Sequence, residues 1–219
     1  MNFTRTLGFS LCLALAAPLP ALAQQQPRPQ QNVPAAGQNG AQGFLRARHD
    51  AVNRILRRPA RTPAEQARLR DELGRALADL LDYDELSRQS LASHWAEHSE
   101  TERREFVGLL RQLVQQSYQR SLRTTLDFDI RYLSETPGQG GAVVVRTTAR
   151  SRTQRRAPQV AIDYTLKRAG NAWRVSDVST DGVSLVRNYR TQFNRIITRE
   201  GWPALIQRMR SRLDAGSEI

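Results

Sequence analysis

The 219-residue sequence predicts an α+β fold: a curved antiparallel sheet of about four strands packed against N-terminal and C-terminal helices. Two observations carry that reading. Apolar residues recur every three or four positions up to Tyr118, alternate with polar residues from Leu126 to Val175, and return to helical spacing after Ser184. The alternating runs are joined mostly by short turns, and strands connected that tightly must run antiparallel.

The first helix is expected from Phe44 to Arg57, with Leu45, Val52, Ile55 and Leu56 on its apolar side and Pro59 stopping it. Thr62-Pro63-Ala64-Glu65 is a strong helix start, with Thr at the N-cap, Pro at the first position and Glu three residues after the cap. The stripe Leu69, Leu73, Leu77, Leu80 and Leu81 follows it. Asp82 can cap a short third helix carrying Leu86 and Leu91. Ser99-Glu100-Thr101-Glu102 is a second capping box, and the helix behind it aligns Phe106, Leu109, Leu110, Leu113, Val114, Ser117 and Tyr118.

Leu126, Phe128, Ile130 and Tyr132 alternate with Asp127, Asp129 and Arg131, as a half-buried strand requires. Pro137 to Gly141 is a turn, and the β-branched run Val143 to Thr148 is a second strand. Val160, Ile162, Tyr164 and Leu166 mark a third strand, and Gly170-Asn171 turns the chain into a fourth at Trp173 and Val175. Asp181-Gly182 is a turn and Ser184 a helix cap, with Leu185, Tyr189, Phe193 and Ile196 on one face beyond it. Gly201 ends that helix, and Pro203 opens the last one.

The N-terminus reads as an export signal. Arg5 gives a positive start, Leu7 to Ala17 a short apolar run, and Ala21-Leu22-Ala23 a cleavage site, so residues 1–23 are a signal peptide. Residues 24–43 are rich in Gln, Pro, Gly and Asn, a composition too polar to repay its own ordering; they form a leader ahead of one domain over residues 44–215. The single cysteine, Cys12, lies in the signal, which leaves the exported chain without thiol chemistry. The formal net charge is +12, almost all from arginine, since Lys167 is the only lysine. Such charge attracts anionic membrane surfaces or acidic partners. Export, and the lack of a basic-aromatic motif, argue against nucleic acid.

Little in the chain can run a reaction. His94 and His98 have metal-ligand spacing, but the capping box at Ser99 breaks the helix there, and surface histidines are the simpler reading. Asp127 and Asp129 share a strand face with Arg131, which suits a solvated charge row better than acid–base work. Ser184 lacks the flanking glycine of a nucleophile elbow, and no glycine-rich phosphate loop occurs. No catalytic residue, metal site or cofactor is therefore expected. What remains is apolar surface on two layers: Phe128, Ile130, Val143, Val145, Val160, Ile162, Tyr164, Trp173 and Val175 on strands, and Leu110, Val114, Tyr118, Tyr189 and Phe193 on helices.

The run Trp173-x-Val175-x-Asp177-Val178, then Asp181-Gly182-Val183-Ser184-Leu185-Val186, then Asn188-Tyr189-Arg190-x-Gln192-Phe193 resembles the C-terminal signature of the MlaC family, periplasmic phospholipid-binding proteins of toluene-tolerance and lipid-asymmetry systems. Asp82-Tyr83, Leu86, Leu91, Trp95, Glu102, Arg103, Phe106 and Tyr118 are similar to its middle helices, and Gln159 to Leu166 to its third strand. One departure stands out: many members have Leu-Gly where this chain has Leu91-Ala92, and an added methyl there is expected to crowd a helix contact. The resemblance implies a central apolar cavity between the strand and helix residues named above, in a periplasmic carrier that shuttles phospholipids between inner and outer membranes. The implied partners are an inner-membrane Mla-type ABC transporter complex, an outer-membrane lipoprotein–porin complex and, transiently, the membrane surface. Three alternatives stay open: carriage of hopanoid-type polycyclic lipids, an enzyme on a similar cone-shaped fold, and a basic interaction module without lipid.

Overall fold

The computed structural model describes residues 40–120, 126–154 and 156–217, with the side chains of residues 118–120 and 217 excepted. The expected signal peptide and most of the leader lie outside these residues. Helices α1 (Ala41–Leu56), α2 (Pro63–Leu80), α3 (Tyr83–Leu91), α4 (His94–Glu97) and α5 (Glu100–Arg120) precede the sheet. Strands β1 (Phe128–Pro137), β2 (Val143–Ser151), β3 (Val160–Ala169), β4 (Ala172–Thr180) and β5 (Val183–Ser184) follow, then α6 (Leu185–Glu200) and α7 (Trp202–Ser217). The sheet order is β1-β2-β3-β4-β5, every pair antiparallel. The fold is α+β as expected, with a two-residue fifth strand added. Among the described residues no helix is long and apolar enough to cross a membrane.

The helix starts follow their caps. Glu65 N–H donates to Thr62 Oγ1 at 3.2 Å, and Thr62 N–H donates back to Glu65 Oε2 at 2.9 Å. Asp82 Oδ1 accepts from Glu85 N–H at 2.9 Å. Ser99 and Glu102 exchange the same pair of bonds, at 3.3 Å and 2.8 Å. Each of these satisfies helix N–H groups that lack an intrahelical partner. Helix α1 differs. It begins at Ala41, three residues before Phe44, with no side-chain cap of its own. Glu135, on β1, supplies the acceptor: its Oε2 takes the Gln42 N–H at 2.8 Å.

Ala92 corrects an expectation. It is exposed, so its methyl crowds no helix contact. Its φ of +51° and ψ of −116° place it where L side chains are strained and glycine is not. The departure from Leu-Gly therefore acts through the backbone rather than through packing.

Two bulges shape the sheet. Leu133 is extra on β1, between Tyr132 and Ser134, and Ser176 is extra on β4, between Val175 and Asp177. Each reverses the alternation beyond it. Glu135 and Val178 thus join the face that strict alternation would give to Ser134 and Asp177. The far edge of β4 is closed by β5 and, in parallel, by Leu81 opposite Val175.

The second bulge frees Asp177 to clasp α6. Its Oδ1 accepts the backbone N–H of Val178 at 2.8 Å and of Val186 at 3.1 Å, and its Oδ2 accepts the Ser184 hydroxyl at 2.5 Å. Ser184 Oγ in turn accepts the Arg187 N–H at 3.1 Å. One carboxylate thereby fixes strand, turn and helix start together.

Candidate functional site

Residues directly opposite one another in an antiparallel sheet share a face. The register therefore gives the inner face as rows: Ile130, Ala149 and Val160; then Tyr132, Thr147, Ile162 and Thr180; then Glu135, Val145, Tyr164 and Val178; then Pro137, Val143, Leu166 and Val175. Phe128 lies opposite Ser151 at the end of this face. Beyond Leu166 and Val175 the next row pairs Arg168 with Trp173, the guanidinium lying over the indole; apart from Arg168, Glu135 and small hydroxyl residues, the surface is apolar or aromatic.

Helices cover one end of it. Ala41 and Leu45 of α1 and Leu80 of α2 bury Val145, Leu166 and Val175 completely or nearly so, with Phe44, Leu81, Tyr132, Val143, Tyr164, Trp173 and Val178 half-buried around them. Phe128, Ile130 and Val160, at the other end, are only half-buried and join none of the apolar clusters among the described residues. Ile162 is buried between the two ends. Beside the half-buried end, where Arg152 N–H donates to Asp127 C=O, an open groove of about 590 Å³ is lined by Arg152, Thr153, Gln154, Arg156 and Ala157.

The helical residues named from the sequence sit elsewhere. Leu110 and Phe193 are buried in a separate cluster built by α3, α5, α6 and α7, with Val114 and Tyr189 packed against it. Phe193 meets Phe106 edge-on at 5.5 Å and stacks on Tyr189 at 5.2 Å. A small cluster of Tyr83, Leu86, Val107 and Val186 links the two: Leu81 touches it and the sheet cluster, while Val114 and Trp95 touch it and the helical one. The expected set therefore divides. Val143, Val145, Tyr164, Trp173 and Val175 belong to the sheet cluster; Leu110, Val114, Tyr189 and Phe193 to the helical one. The side chain of Tyr118 lies outside the described ones.

One polar group on the inner face escaped the sequence reading. His49 follows Ala41 and Leu45 at four-residue steps, and that spacing was the available signal. Its Nδ1 lies 2.7 Å from the Tyr132 hydroxyl, and its ring meets Tyr164 edge-on at 5.2 Å. Burial outweighs the nearby Asp50 charge and pulls its pKa down to about 4, so the imidazole is neutral at pH 7. Burial likewise raises the Tyr132 hydroxyl, which keeps its proton.

His94 and His98 diverge. The chain turns extended at His98; His94 Nδ1 lies 2.7 Å from Glu97 Oε2 and its Nε2 2.9 Å from Asn194 Oδ1, while His98 stacks on Trp202 at 3.7 Å. No group of three His, Cys, Asp or Glu side chains among the described residues could hold a metal ion.

The family model described as MlaC protein matches residues 46–211. The chain belongs to the MlaC family. In this MlaC-family chain the match begins within α1, ends within α7 and takes in the whole sheet. Among solved structures, the fold is similar to that of a phospholipid-binding protein from Ralstonia solanacearum, in complex with a phospholipid, with a TM-score of 0.68 and 20% identity over 81% of this chain and 99% of that one. No curated protein matches. Within the family signature, Tyr189 and Phe193 point into the helical cluster and Asp177 makes the clasp, whereas Asn188 and Arg190 lie exposed.

Proposed function

We propose that this MlaC-family chain is a periplasmic phospholipid carrier, the exported component of an Mla-type ABC transport system, and that it makes and breaks no bond. One observation carries the proposal: the inner face of the sheet is mostly apolar, yet Phe128, Ile130 and Val160 stay half-buried, apart from the cluster that seals the opposite end. Membership of the family, and a fold shared with a protein held in complex with a phospholipid, support it.

Sheltering an acyl chain is worth about 0.8 kcal/mol per CH₂, roughly 20–25 kcal/mol for two tails. A carrier must nearly match that shelter or the lipid stays in the bilayer. It must not greatly exceed it, or the lipid never leaves the carrier. An apolar wall of strand side chains, without polar groups that hold cargo chemically, meets both demands. In this reading the tails lie along Phe128, Ile130 and Val160, and the head group stays at the rim near Arg156, whose guanidinium fork suits a phosphate, and near Arg152, which Asp129 holds at 2.7 Å. Its partners are an inner-membrane lipid ABC transporter complex and an outer-membrane lipoprotein–porin complex. Solvent extraction of the purified protein followed by mass spectrometry should release phospholipid near one molecule per chain. Protein that is persistently free of lipid, or loaded with a polycyclic lipid instead, would refute the proposal.

A further inference from the structure

The outward side of α6 carries a row of exposed basic and small polar side chains. Arg187, Arg190, Thr191, Asn194, Arg195, Thr198 and Arg199 are all exposed and recur at helical spacing along one side. Val186, Phe193 and Ile196 are buried on the other. The helix carries no carboxylate before Glu200, and Arg208 of α7 engages that one at 2.6 Å. Glu97, across from Asn194, is held by His94. Arg190 Nε donates to the Gln89 C=O of α3 at 2.9 Å, and the guanidinium groups of Arg187, Arg195 and Arg199 face solvent along a helix of 16 residues, about 24 Å, with short neutral side chains between them.

We propose that this face of α6 docks the protein on an anionic phospholipid surface. The chemistry favours a bilayer over a protein partner. Protein interfaces are anchored by buried aromatic or large apolar side chains, and this face offers none. It offers charge alone, in side chains whose planar forks pair with phosphate oxygens. The one large apolar side chain exposed beside it is Val183, 64% accessible in β5 just before α6 and placed to dip between head groups. The Asp177 clasp fixes the start of the helix and so keeps the arginine side outward. The proposal rests on the lipid-carrier reading for its purpose but not for its test.

The test is co-sedimentation of the mature protein with vesicles of phosphatidylethanolamine, with and without phosphatidylglycerol, at low and high salt. Wild type should bind only the anionic vesicles and release as salt screens the charges. Each arginine at such a surface contributes about fivefold in affinity, so the triple variant Arg187→Gln/Arg195→Gln/Arg199→Gln should bind on the order of 100-fold more weakly. The same loss of charge on α2, as Arg68→Gln/Arg70→Gln/Arg75→Gln, should cost much less. Replacing the three α6 arginines by lysine should preserve most binding and guards against a folding defect. Equal loss in both glutamine variants, or a wild type that ignores anionic vesicles while an acidic protein captures it, would overturn the proposal. Mass spectrometry of bound lipid in the same samples keeps the two readings apart: cargo retained by the α6 variant leaves the pocket intact, and cargo absent from wild type indicts the carrier reading alone.

Discussion

Ala92 closes α3 with φ at +51° and ψ at −116°, a conformation in which its methyl is strained against its own backbone. Holding an L residue in the left-handed region costs roughly 1–2 kcal/mol. Glycine there would shed that strain. It would also give the unfolded chain more freedom, which costs about 0.4–1 kcal/mol. The position is exposed, so no packing is lost with the methyl. Ala92→Gly should therefore stabilise the protein by about 0.5–1 kcal/mol, or about 1–4 °C in Tm for a domain of this size. Ala92→Val, with a branched carbon in the same place, should lower Tm. Urea denaturation of the three proteins side by side reads both effects, with slopes unchanged. A glycine variant no more stable than wild type, or a valine variant equal to it, would show that the backbone at this position carries no strain worth relieving.

Three further outcomes are expected. Asp177→Ala removes the acceptor of three hydrogen bonds and should destabilise the protein by about 2–4 kcal/mol in urea melts, with faster hydrogen exchange at the start of α6. Ile130→Arg places a charge on the half-buried end of the inner face, so co-purified phospholipid should fall several-fold while stability changes by about 1 kcal/mol or less; unchanged lipid content would move the tails elsewhere. His49 has a folded pKa of about 4, below its unfolded value of 6.5, so the unfolded chain binds the extra proton between those values. Its contribution is complete above pH 6.5 and is lost as pH falls toward 4, at most about 3 kcal/mol. His49→Phe should flatten that limb of the stability–pH curve, and an unaltered limb would place its cause in another group.

Local signals were legible in the sequence and distant ones were not. Thr62, Asp82, Ser99 and Ser184 cap the helices they precede because a cap acts over three residues. The start of α1 depends on Glu135, which lies 93 positions away from Gln42. Alternation placed Phe128, Ile130, Tyr132, Val160, Ile162, Tyr164 and Val175 on one face. It could not place Glu135 or Val178, because a single inserted residue on β1 and on β4 reverses the pattern beyond it. Periodicity also says which side of a helix is apolar but not what that side meets. Leu110 and Phe193 therefore read the same as wall residues, although the structure seats them among α3, α5, α6 and α7.

The two flanks of the sheet are unequal. β4 is sealed by β5 and Leu81, whereas β1 shows no strand partner beyond it among the described residues. That open flank is a poor template for self-association: Leu133 breaks its register, Arg131 adds an exposed charge, and Pro137 ends it without an N–H to donate. Open strand borders run a standing risk of stacking into fibrils, and here the vulnerable border is blunted by the same irregularity that re-aims Glu135 toward α1.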